Sequence, residues 1–461
     1  MCNTFIGRKQ ELKALQDKFD KRGFQMAVVY GRRRIGKTTL LNKFMADNNC
    51  VSISFVAVEQ KEAELLSMMS AVVLESIAPE LAGSISFDSF DKLFSYIATV
   101  AKDKRIIFVI DEYPYLAKEC TYMNSLLQKF VDHDWKHTNL FLILCGSLVS
   151  FMSDEVLGKD APLHGRSNIE LKLRPFDYYE AAQFVPDYSN EDKAVVYGLT
   201  NGVAKYLEQF DPALDLNTNI INQFFTGTGY FTTEQIKTII TGDKLNPVAY
   251  NTILAALASG YTKYSELSQV TGIDNLKYYL DILIESELVE KRNSKKPYYI
   301  ISDNMLNFWF RFVNRAASLI NADRGKLYYM NSVQNKLHEY MGKVFEEMAK
   351  QYIYKNTGSD KIPVMVTDIV EYQNSIKTAG EIKNIEIDLL GRNGKDNVLI
   401  GECKFKEQNF AKKDLDNFLS KISYIPAMNP AIILFSLSGF SETIINNSDK
   451  YILVDINDMY R

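Results

Sequence analysis

The sequence predicts a multidomain α/β protein: a parallel sheet with a helical lid, then a winged helix, then a second α/β domain. Three observations support this prediction. The chain has 461 residues, enough for two to four domains, because one domain usually takes about 100–200 residues. Short apolar runs rich in β-formers alternate with helical patterns over the first part of the chain. A further group of strand patterns follows residue 384.

Composition places the chain among ordinary globular proteins. Hydrophobic residues make up 46% and charged residues 24% of the sequence, a balance that allows several buried cores and excludes a disordered chain. Lysine and arginine number 53 against 57 aspartates and glutamates, and the formal net charge is -4. A generally basic nucleic-acid coat is therefore excluded, and any contact with phosphates must come from local patches.

Cysteine usage and apolar runs bear on the compartment. The five cysteines are scattered and form no CxxC pair, which disfavours zinc and disulfide frameworks. No apolar run approaches the roughly 20 residues that span a bilayer, and the amino terminus lacks a signal-peptide pattern. The sequence therefore predicts a reduced, cytoplasmic protein without a membrane partner.

Residues 1–170 are predicted to form the first domain, a parallel sheet covered by helices. Its strands are four short, almost wholly apolar runs, which is typical of strands buried on both faces. The runs lie at 25–30, 51–58, 105–110 and 140–145.

Four further segments are predicted after the first domain. Strand signals fade after Pro175, which predicts a helical lid subdomain. The next segment has three helical patterns and two strands around Lys291 to Lys296, the order of a winged helix. An amphipathic helical connector leads to a second α/β domain with strands at 384–391, 397–403 and 430–435. The four segments are 171–244, 245–302, 303–330 and 331–461.

A glycine-rich loop lies directly between the first strand and the next helical segment. It fits G-x-x-x-x-G-K-[ST], in which backbone N–H groups face nucleotide phosphates and the following helix directs its positive end at the anion. Lys37 is expected to reach the β and γ phosphates, and Thr38 to bind Mg²⁺. The predicted nucleotide-binding residues of this loop are Gly31, Arg32, Arg33, Arg34, Ile35, Gly36, Lys37, Thr38 and Thr39.

Two acidic residues follow the third apolar strand. Asp111 is expected to bind Mg²⁺ and Glu112 to activate water, as at an ATP-hydrolysing site. Together with the loop upstream, this pair predicts an ATPase in which Lys37 and Glu112 are catalytic. The expected cofactors are ATP and Mg²⁺.

Two further polar residues have two interpretations each. Ser147 follows the strand at 140–145, where it either contacts the γ-phosphate or the attacking water, or caps the strand end. Arg166 either senses phosphate, within the chain or across a subunit interface, or forms a surface salt bridge.

Four segments together resemble the archaeal-type ATPase family, relatives of the signal-transduction NTPases within the AAA+ assemblage. They are FIGRKQEL, GRRRIGKTTL, IDEYPYL and GRSNIELKLRPFDYYEA, and the resemblance spans about residues 3–240. It implies that an amino-terminal box of Phe5, Ile6, Gly7 and Arg8 packs near the nucleotide base. The sequence departs from the family at GLTNGVA, residues 198–204, where members often carry GG-x-P.

A second group of charged residues lies in the last domain. Asp388 lies in one predicted strand, and the returning strand carries Glu402 and Lys404 on one face because side chains alternate along a strand. The hairpin brings Asp388 beside them, and Glu346 on the preceding helix completes the predicted cluster. Three acids with a lysine suit metal-assisted phosphodiester cleavage, in which the acids hold Mg²⁺ or Mn²⁺.

These residues resemble the PD-(D/E)xK nuclease superfamily. Their arrangement resembles the restriction-endonuclease-like domain often found carboxy-terminal to archaeal-type ATPases. The resemblance implies metal ligands at Asp388 and Glu402, a catalytic lysine at Lys404 and a helix acid at Glu346. An active nuclease, a nuclease-like fold used for binding or assembly, and an accidental charged hairpin are the three interpretations of this pattern.

The predicted winged helix is not basic overall. Residues 248–301 carry six basic and six acidic side chains, and the third helix includes Asp281 and Glu285, a poor match to DNA phosphates. The basic part is the wing, KRNSKK. Packing is therefore an alternative to DNA binding.

The predicted function is an ATP-hydrolysing P-loop ATPase coupled to a winged helix and a nuclease-like domain that acts on DNA with a metal ion. The alternative is a nucleotide-gated switch or scaffold. In that case the later domains bind partners, among them a second copy of the chain, without cutting DNA.

Overall fold

The computed structural model describes residues 5–232, 247–292, 297–378 and 381–461. These residues divide into two compact units. The first unit comprises Met1–Pro175, Val203–Lys205 and Glu285–Glu287, and the second comprises Phe176–Gly202, Tyr206–Ile284 and Leu288–Arg461. The predicted wing-tip cations Lys295 and Lys296, and the predicted end of the lid at residue 244, lie outside the described residues.

The first unit is built on a five-stranded parallel sheet with the order β2-β3-β4-β1-β5. Its strands are β1 (Gln25–Tyr30), β2 (Val51–Val56), β3 (Ile106–Asp111), β4 (Leu140–Gly146) and β5 (Ile169–Lys172). Its helices are α1 (Lys9–Phe19), α2 (Lys37–Asp47), α3 (Glu62–Ile77), α4 (Phe90–Ala101), α5 (Tyr113–Glu119), α6 (Met123–Asp132) and the short α7 (Val149–Phe151).

The inner strands of this sheet are buried on both faces. Successive side chains of β3 and β4 enter two separate cores: Phe108 and Leu142 lie in one, and Val109 and Ile143 in the other. Continuous apolar strands fit this arrangement because helices cover both faces of a parallel sheet. The predicted parallel α/β sheet is confirmed, and the carboxyl ends of β1, β3 and β4 meet at one edge.

The second unit begins with helices, and its described residues 176–232 contain no strand. Its helices here are α8 (Tyr178–Ala181), α9 (Asn190–Thr200), α10 (Ala204–Leu207), whose first residues belong to the first unit, and α11 (Leu216–Phe224). Three helices and an antiparallel strand pair follow, the element order predicted for the winged helix. They are α12 (Pro247–Ala258), α13 (Tyr264–Thr271), α14 (Leu276–Glu285), β6 (Val289–Arg292) and β7 (Tyr298–Ile301).

A five-stranded mixed sheet forms the carboxy-terminal part of the second unit. Its order is β12-β11-β10-β9-β8; β8, β9 and β10 are antiparallel, whereas β10, β11 and β12 are parallel. The strands are β8 (Asp368–Thr378), β9 (Glu381–Asn393), β10 (Asp396–Lys404), β11 (Ala431–Ser436) and β12 (Ile452–Asp455). The helices from the connector onward are α15 (Asn304–Phe308), α16 (Ala317–Asn321), α17 (Gly325–Tyr328), α18 (Leu337–Asn356), α19 (Lys412–Ile422), α20 (Glu442–Ile445) and α21 (Ile456–Met459).

Three strands were not predicted from the sequence: β5, β8 and β12. The second sheet therefore has five strands where the sequence predicted three. Within the described parts of the chain, no helix combines the length and the apolar character needed to cross a membrane.

Candidate functional site

The loop that joins β1 to α2 depends on glycine at two positions. A Cβ atom on Gly31 would lie 2.4 Å from the carbonyl oxygen of Leu173, a backbone atom that cannot move aside cheaply. Gly36 has φ 90° directly before α2, a left-handed conformation that glycine adopts without steric cost. The chain therefore turns tightly here, and α2 begins at Lys37 with its free N–H groups at the loop.

The loop encloses the Lys37 ammonium. Lys37 is 6% exposed, and its Nζ donates hydrogen bonds to the carbonyl oxygens of Gly31 and Arg32, both at 2.9 Å. Burial lowers the pKa of Lys37, because a charged group loses hydration inside the protein. A phosphate oxygen is a better partner for this ammonium than a neutral carbonyl, since both members of the pair would then be charged.

Thr38 and Asp111 meet at the carboxyl end of β3. The Thr38 hydroxyl donates to Asp111 Oδ2 at 2.6 Å, and the Glu112 N–H donates to Asp111 Oδ1 at 2.8 Å. Asp111 is 3% exposed. A hydroxyl and a carboxylate are the hard oxygen donors that Mg²⁺ accepts, so the donor set fits the predicted metal.

Glu112 is held by Ser147, which directly follows the neighbouring strand β4. Glu112 has φ 50°, and its Oε2 accepts hydrogen bonds from the Ser147 hydroxyl at 2.7 Å and the Ser147 N–H at 3.3 Å. Ser147 is buried. This contact with Glu112 differs from both sequence interpretations of Ser147.

The amino-terminal box lies beside the phosphate-binding loop. Arg8 is buried, and its Nη2 donates to the carbonyl oxygens of Ile35 at 3.0 Å and Arg174 at 2.7 Å. Phe5 packs against the core that includes Ile35. These contacts place the box next to the loop; its contact with a nucleotide base stays a prediction.

Arg166 forms the salt bridge that was one of its two interpretations. Its Nε and Nη2 donate to the two carboxylate oxygens of Asp132 at 2.8 and 2.7 Å. Two backbone carbonyls, those of Pro162 and His164, accept from its Nη1. In this structure all three nitrogens of Arg166 are engaged away from the loop, and a role in phosphate sensing stays a prediction.

Two contacts at the loop were missed by sequence reasoning. The Lys205 N–H donates to the Arg34 carbonyl oxygen at 3.1 Å, so the residue directly after the segment that departs from the family pattern contacts the loop. The only local sequence signal for this contact is the pair Asn201 and Gly202, residue types that favour turns. Both have positive φ in the structure. Arg33 donates to the Tyr115 hydroxyl at 2.6 Å, and no sequence signal connects these two side chains.

The predicted acids of the second sheet lie on three neighbouring elements. Asp388 lies on β9 and Glu402 on β10, and the pairing of Gly401 with Leu389 puts these acids next to each other in the register. Glu346 lies on α18, which packs against β10 and β9. Glu402 is 4% and Glu346 7% exposed. Glu402 on β10 and Glu346 on α18 are therefore both buried.

Lysines lie beside the two buried acids. Lys404 Nζ lies 2.9 Å from Glu402 Oε1, and Lys421 Nζ lies 3.7 Å from Glu402 Oε2. Lys343 Nζ lies 3.0 Å from Glu346 Oε2. Neither Lys343 nor Lys421 was a sequence candidate, because each reaches its partner through the fold.

Two of the three acids have raised pKa values. Burial, followed by the charge of Asp388, raises the pKa of Glu346 to about 8. Burial, followed by the charge of Glu402, raises the pKa of Asp388 to about 6. The charge of Asp388 thus acts on Glu346, and the charge of Glu402 acts on Asp388. Strongly shifted carboxyls of this kind are enriched at functional sites.

The carboxylates of this cluster are suitable ligands for a divalent cation, but in this structure they do not surround a common position. Carboxylate oxygens are the ligands that Mg²⁺ and Mn²⁺ prefer, and the buried Glu402 Oε2 has no hydrogen-bond partner. Over residues 5–232, 247–292, 297–378 and 381–461, however, no group of three or more His, Cys, Asp or Glu residues is placed to hold a metal ion.

Two family descriptions match the chain. An ATPase domain predominantly from Archaea matches residues 5–210, and a family of archaeal and bacterial proteins of unknown function matches residues 309–416. The uncharacterized protein MJECL04 of Methanocaldococcus jannaschii is 30% identical over 417 residues, which cover 87% of this chain and 88% of that protein. The chain belongs to the archaeal-type P-loop ATPases. The resemblance read from the nucleotide-binding motifs is confirmed.

Two further proteins are similar to parts of this archaeal-type ATPase. The uncharacterized ATP-binding protein MJ0423 of the same organism is 44% identical over 41 residues, which cover 9% of this chain and 70% of that protein. The Walker-type ATPase PABY2304 of Pyrococcus abyssi shares the fold with a TM-score of 0.52 at 18% identity, over 67% of this chain and 96% of that one.

Proposed function

We propose that Lys37, Thr38, Asp111 and Glu112 form the hydrolytic centre of this ATPase. The observation that carries the proposal is the 2.6 Å hydrogen bond from Thr38 to Asp111, which joins the loop to the end of β3. The buried Lys37 precedes Thr38 in the chain, and Glu112, bonded to Ser147 through Oε2, follows Asp111. The family membership supports ATP as the nucleotide and Mg²⁺ as its metal.

Each side chain has a separate task in hydrolysis. The Lys37 ammonium exchanges its two carbonyl partners for oxygens of the β and γ phosphates, and the N–H groups at the start of α2 add further donors. Mg²⁺, when bound, neutralises phosphate charge. Glu112 accepts the proton of the attacking water as its oxygen bonds to the γ-phosphorus and the bond to the β–γ bridging oxygen breaks.

Replacement of Lys37 tests the nucleotide site. We expect Lys37→Ala to lose ATP binding, measured by fluorescence of a labelled ATP analogue, because the loop then lacks its only described buried cation. Lys43→Ala, on the exposed side of the same helix, is the matched control and should bind as the wild type. Equal ATP affinity in the Lys37→Ala and wild-type proteins would overturn this assignment.

We further propose that the second sheet carries a metal-dependent nuclease site acting on DNA, formed by Glu346, Asp388, Glu402 and Lys404. The raised pKa values of Glu346 and Asp388 support it, as does the buried Glu402 Oε2, which accepts no hydrogen bond. The Lys404 ammonium, on the same strand face as Glu402, would stabilise the negative charge that develops on a phosphodiester. The three helices and two strands before it would hold or orient the DNA.

Cleavage of plasmid DNA tests the nuclease proposal. With Mg²⁺ or Mn²⁺ we expect the wild type to nick supercoiled plasmid and Lys404→Ala to lose that activity. Lys395→Ala, at the exposed turn between β9 and β10, is the control and should retain it. Equal nicking by the wild type and Lys404→Ala, with and without ATP, would instead support the nucleotide-gated switch or scaffold. The absence of a gathered three-residue metal group among the described residues favours that second candidate.

A further inference from the structure

Arg33 in the phosphate-binding loop is bonded to the helix that follows Glu112. Its Nη2 donates to the Tyr115 hydroxyl at 2.6 Å, although Arg33 itself is exposed. Within the described residues, Arg33 makes no other hydrogen bond or salt bridge. A guanidinium has five N–H donors, so the bond to Tyr115 leaves most of them available to a ligand.

Tyr115 holds this guanidinium from a fixed position. The Tyr115 ring is half-buried and packs against one of the two cores of the first sheet. Tyr115 lies in the first turn of α5, and its N–H donates to the carbonyl oxygen of Glu112 at 3.0 Å. The bond between Arg33 and Tyr115 therefore joins the phosphate-binding loop to the helical turn that begins after Glu112.

The charge of Arg33 also acts at the centre of the loop. Burial is the main cause that lowers the pKa of Lys37, and the positive charge of Arg33 adds to it. The negative charges of Asp111 and Glu112 act on the same ammonium. In the proposed hydrolysis, the γ-phosphate lies between Lys37 and the water that Glu112 activates. Arg33 therefore lies beside the two elements between which the γ-phosphate must fit.

We propose that the Arg33 guanidinium binds the γ-phosphate of ATP and that Tyr115 positions it for this contact. A guanidinium suits this task because its planar fork can bond two phosphate oxygens at once. Arg166, for which phosphate sensing was one interpretation, is bonded to Asp132 instead. The inference rests on the proposed hydrolytic centre and adds a side chain that distinguishes ATP from ADP, which lacks the γ-phosphate.

Calorimetric titration of the full-length protein with Mg²⁺ and either ADP or the β,γ-imido analogue of ATP tests the proposal. We expect Arg33→Ala to weaken binding of the ATP analogue about five- to fiftyfold, because it loses a charge-assisted hydrogen bond at an exposed site. Its ADP affinity should change less than about twofold, which also shows that the variant is folded. Arg33→Lys keeps the charge without the fork and should recover part of the preference for the ATP analogue.

Two further variants complete the test. Arg22→Ala removes an exposed arginine before the amino end of β1, at the opposite edge of the sheet from the loop, and should leave both affinities unchanged. Tyr115→Phe keeps the packed ring and removes the hydroxyl. It should weaken binding of the ATP analogue about two- to tenfold and leave ADP binding unchanged, whereas wild-type affinity for both nucleotides would overturn the positioning role of Tyr115.

The outcomes separate this inference from the site on which it rests. Wild-type protein that binds neither nucleotide overturns the proposed hydrolytic centre and the inference together. If the wild type binds both nucleotides and Arg33→Ala shows the same ratio of ATP-analogue to ADP affinity, the γ-phosphate contact is overturned and the hydrolytic centre is left intact. A selective loss of the ATP analogue in Arg33→Ala, partly recovered in Arg33→Lys, supports the proposal.

Discussion

The carboxylate of Glu112 is held by a hydroxyl from the adjacent strand. The Ser147 Oγ lies 2.7 Å from Glu112 Oε2, and a hydrogen bond to a charged group is stronger than one between neutral groups. Glu112 lies directly after β3 with a left-handed backbone conformation, and the bond from Ser147 holds its carboxylate in one orientation. We therefore regard Ser147 as a positioning residue for the water-activating base.

Replacement of Ser147 tests this role at the residue scale. We expect Ser147→Ala to lower kcat for ATP about tenfold, which corresponds to the loss of about 1.4 kcal/mol, with KM changed less than about twofold. Steady-state phosphate release measures both constants. Ser150→Ala, three residues along and exposed, should leave them unchanged. A kcat for Ser147→Ala equal to that of the wild type would contradict the assignment.

The acidic cluster predicts a pH dependence of stability. Burial and neighbouring charge raise the pKa of Glu346 to about 8 and that of Asp388 to about 6, above ordinary carboxyl values. A raised pKa means that the folded state binds the proton more tightly than the unfolded state, so the contribution to stability is full at low pH and is lost as pH rises through about 6 and about 8.

Thermal unfolding of Glu346→Gln checks that sign. In a metal chelator, we expect the wild-type Tm to fall between pH 6 and pH 9, and the fall to be shallower in Glu346→Gln because a neutral amide does not ionise. A difference of about 1 kcal/mol would shift Tm by ~2–4 °C. The same slope in both proteins would show that Glu346 is not the titrating group.

At the scale of elements, β6 is fixed to the carboxy-terminal sheet by an ion network. Arg292, the last residue of β6, contacts Glu371 on β8 and lies 3.1 Å from Glu347 on α18. Lys350 Nζ lies 2.7 Å from Glu347 and 3.6 Å from Glu371. The sequence placed Arg292 in the basic wing, for which DNA binding and packing were both open, and the structure engages it with carboxylates of the same unit.

Replacement of Arg292 should destabilise the second unit. Arg292 is 18% and Glu371 13% exposed, so Arg292→Ala leaves a largely buried carboxylate with less compensation. We expect a loss of about 1–3 kcal/mol, between the values for exposed and buried pairs, measured by chemical denaturation. Lys291→Ala, at the exposed neighbour, should cost less than about 0.5 kcal/mol. Equal stabilities of the two variants would refute the network.

The elements that the sequence failed to predict share a physical property. The central strands β3 and β4 are continuous apolar runs because both faces are buried, and such runs are visible in any sequence. By contrast, β5 alternates half-buried and exposed residues at a sheet edge, and β8 is a long edge strand of mixed polarity. Edge strands tend to bury less surface, which weakens their sequence signal, although the edge strand β2 is apolar enough to have been predicted.

The parts of the candidate sites formed by residues close together in the sequence could be predicted. Loop residues 31–39 and the pair Asp111 and Glu112 follow from motifs whose spacing encodes the chemistry. The contacts of Ser147, Lys343 and Lys421 join elements far apart in sequence, or depend on how a helix meets a sheet, and only the fold reveals them.

At the scale of the whole molecule, the net charge limits how tightly the protein can bind nucleic acid. The net charge of -4 and the engagement of Arg292 by acids argue against tight nonspecific binding of DNA. The proposed nuclease activity would depend on whether ATP or ADP is bound. Hydrolysis of ATP at the first sheet is therefore the activity to establish first.

Nucleotide turnover by Glu112→Gln tests that central claim most directly. We expect Glu112→Gln to bind ATP with Mg²⁺ as tightly as the wild type and to release phosphate at least about a hundredfold more slowly, because general-base catalysis contributes about 10²–10⁴-fold. Glu119→Gln, at the end of the same short helix, should hydrolyse as the wild type. Phosphate release by Glu112→Gln at the wild-type rate would contradict the account.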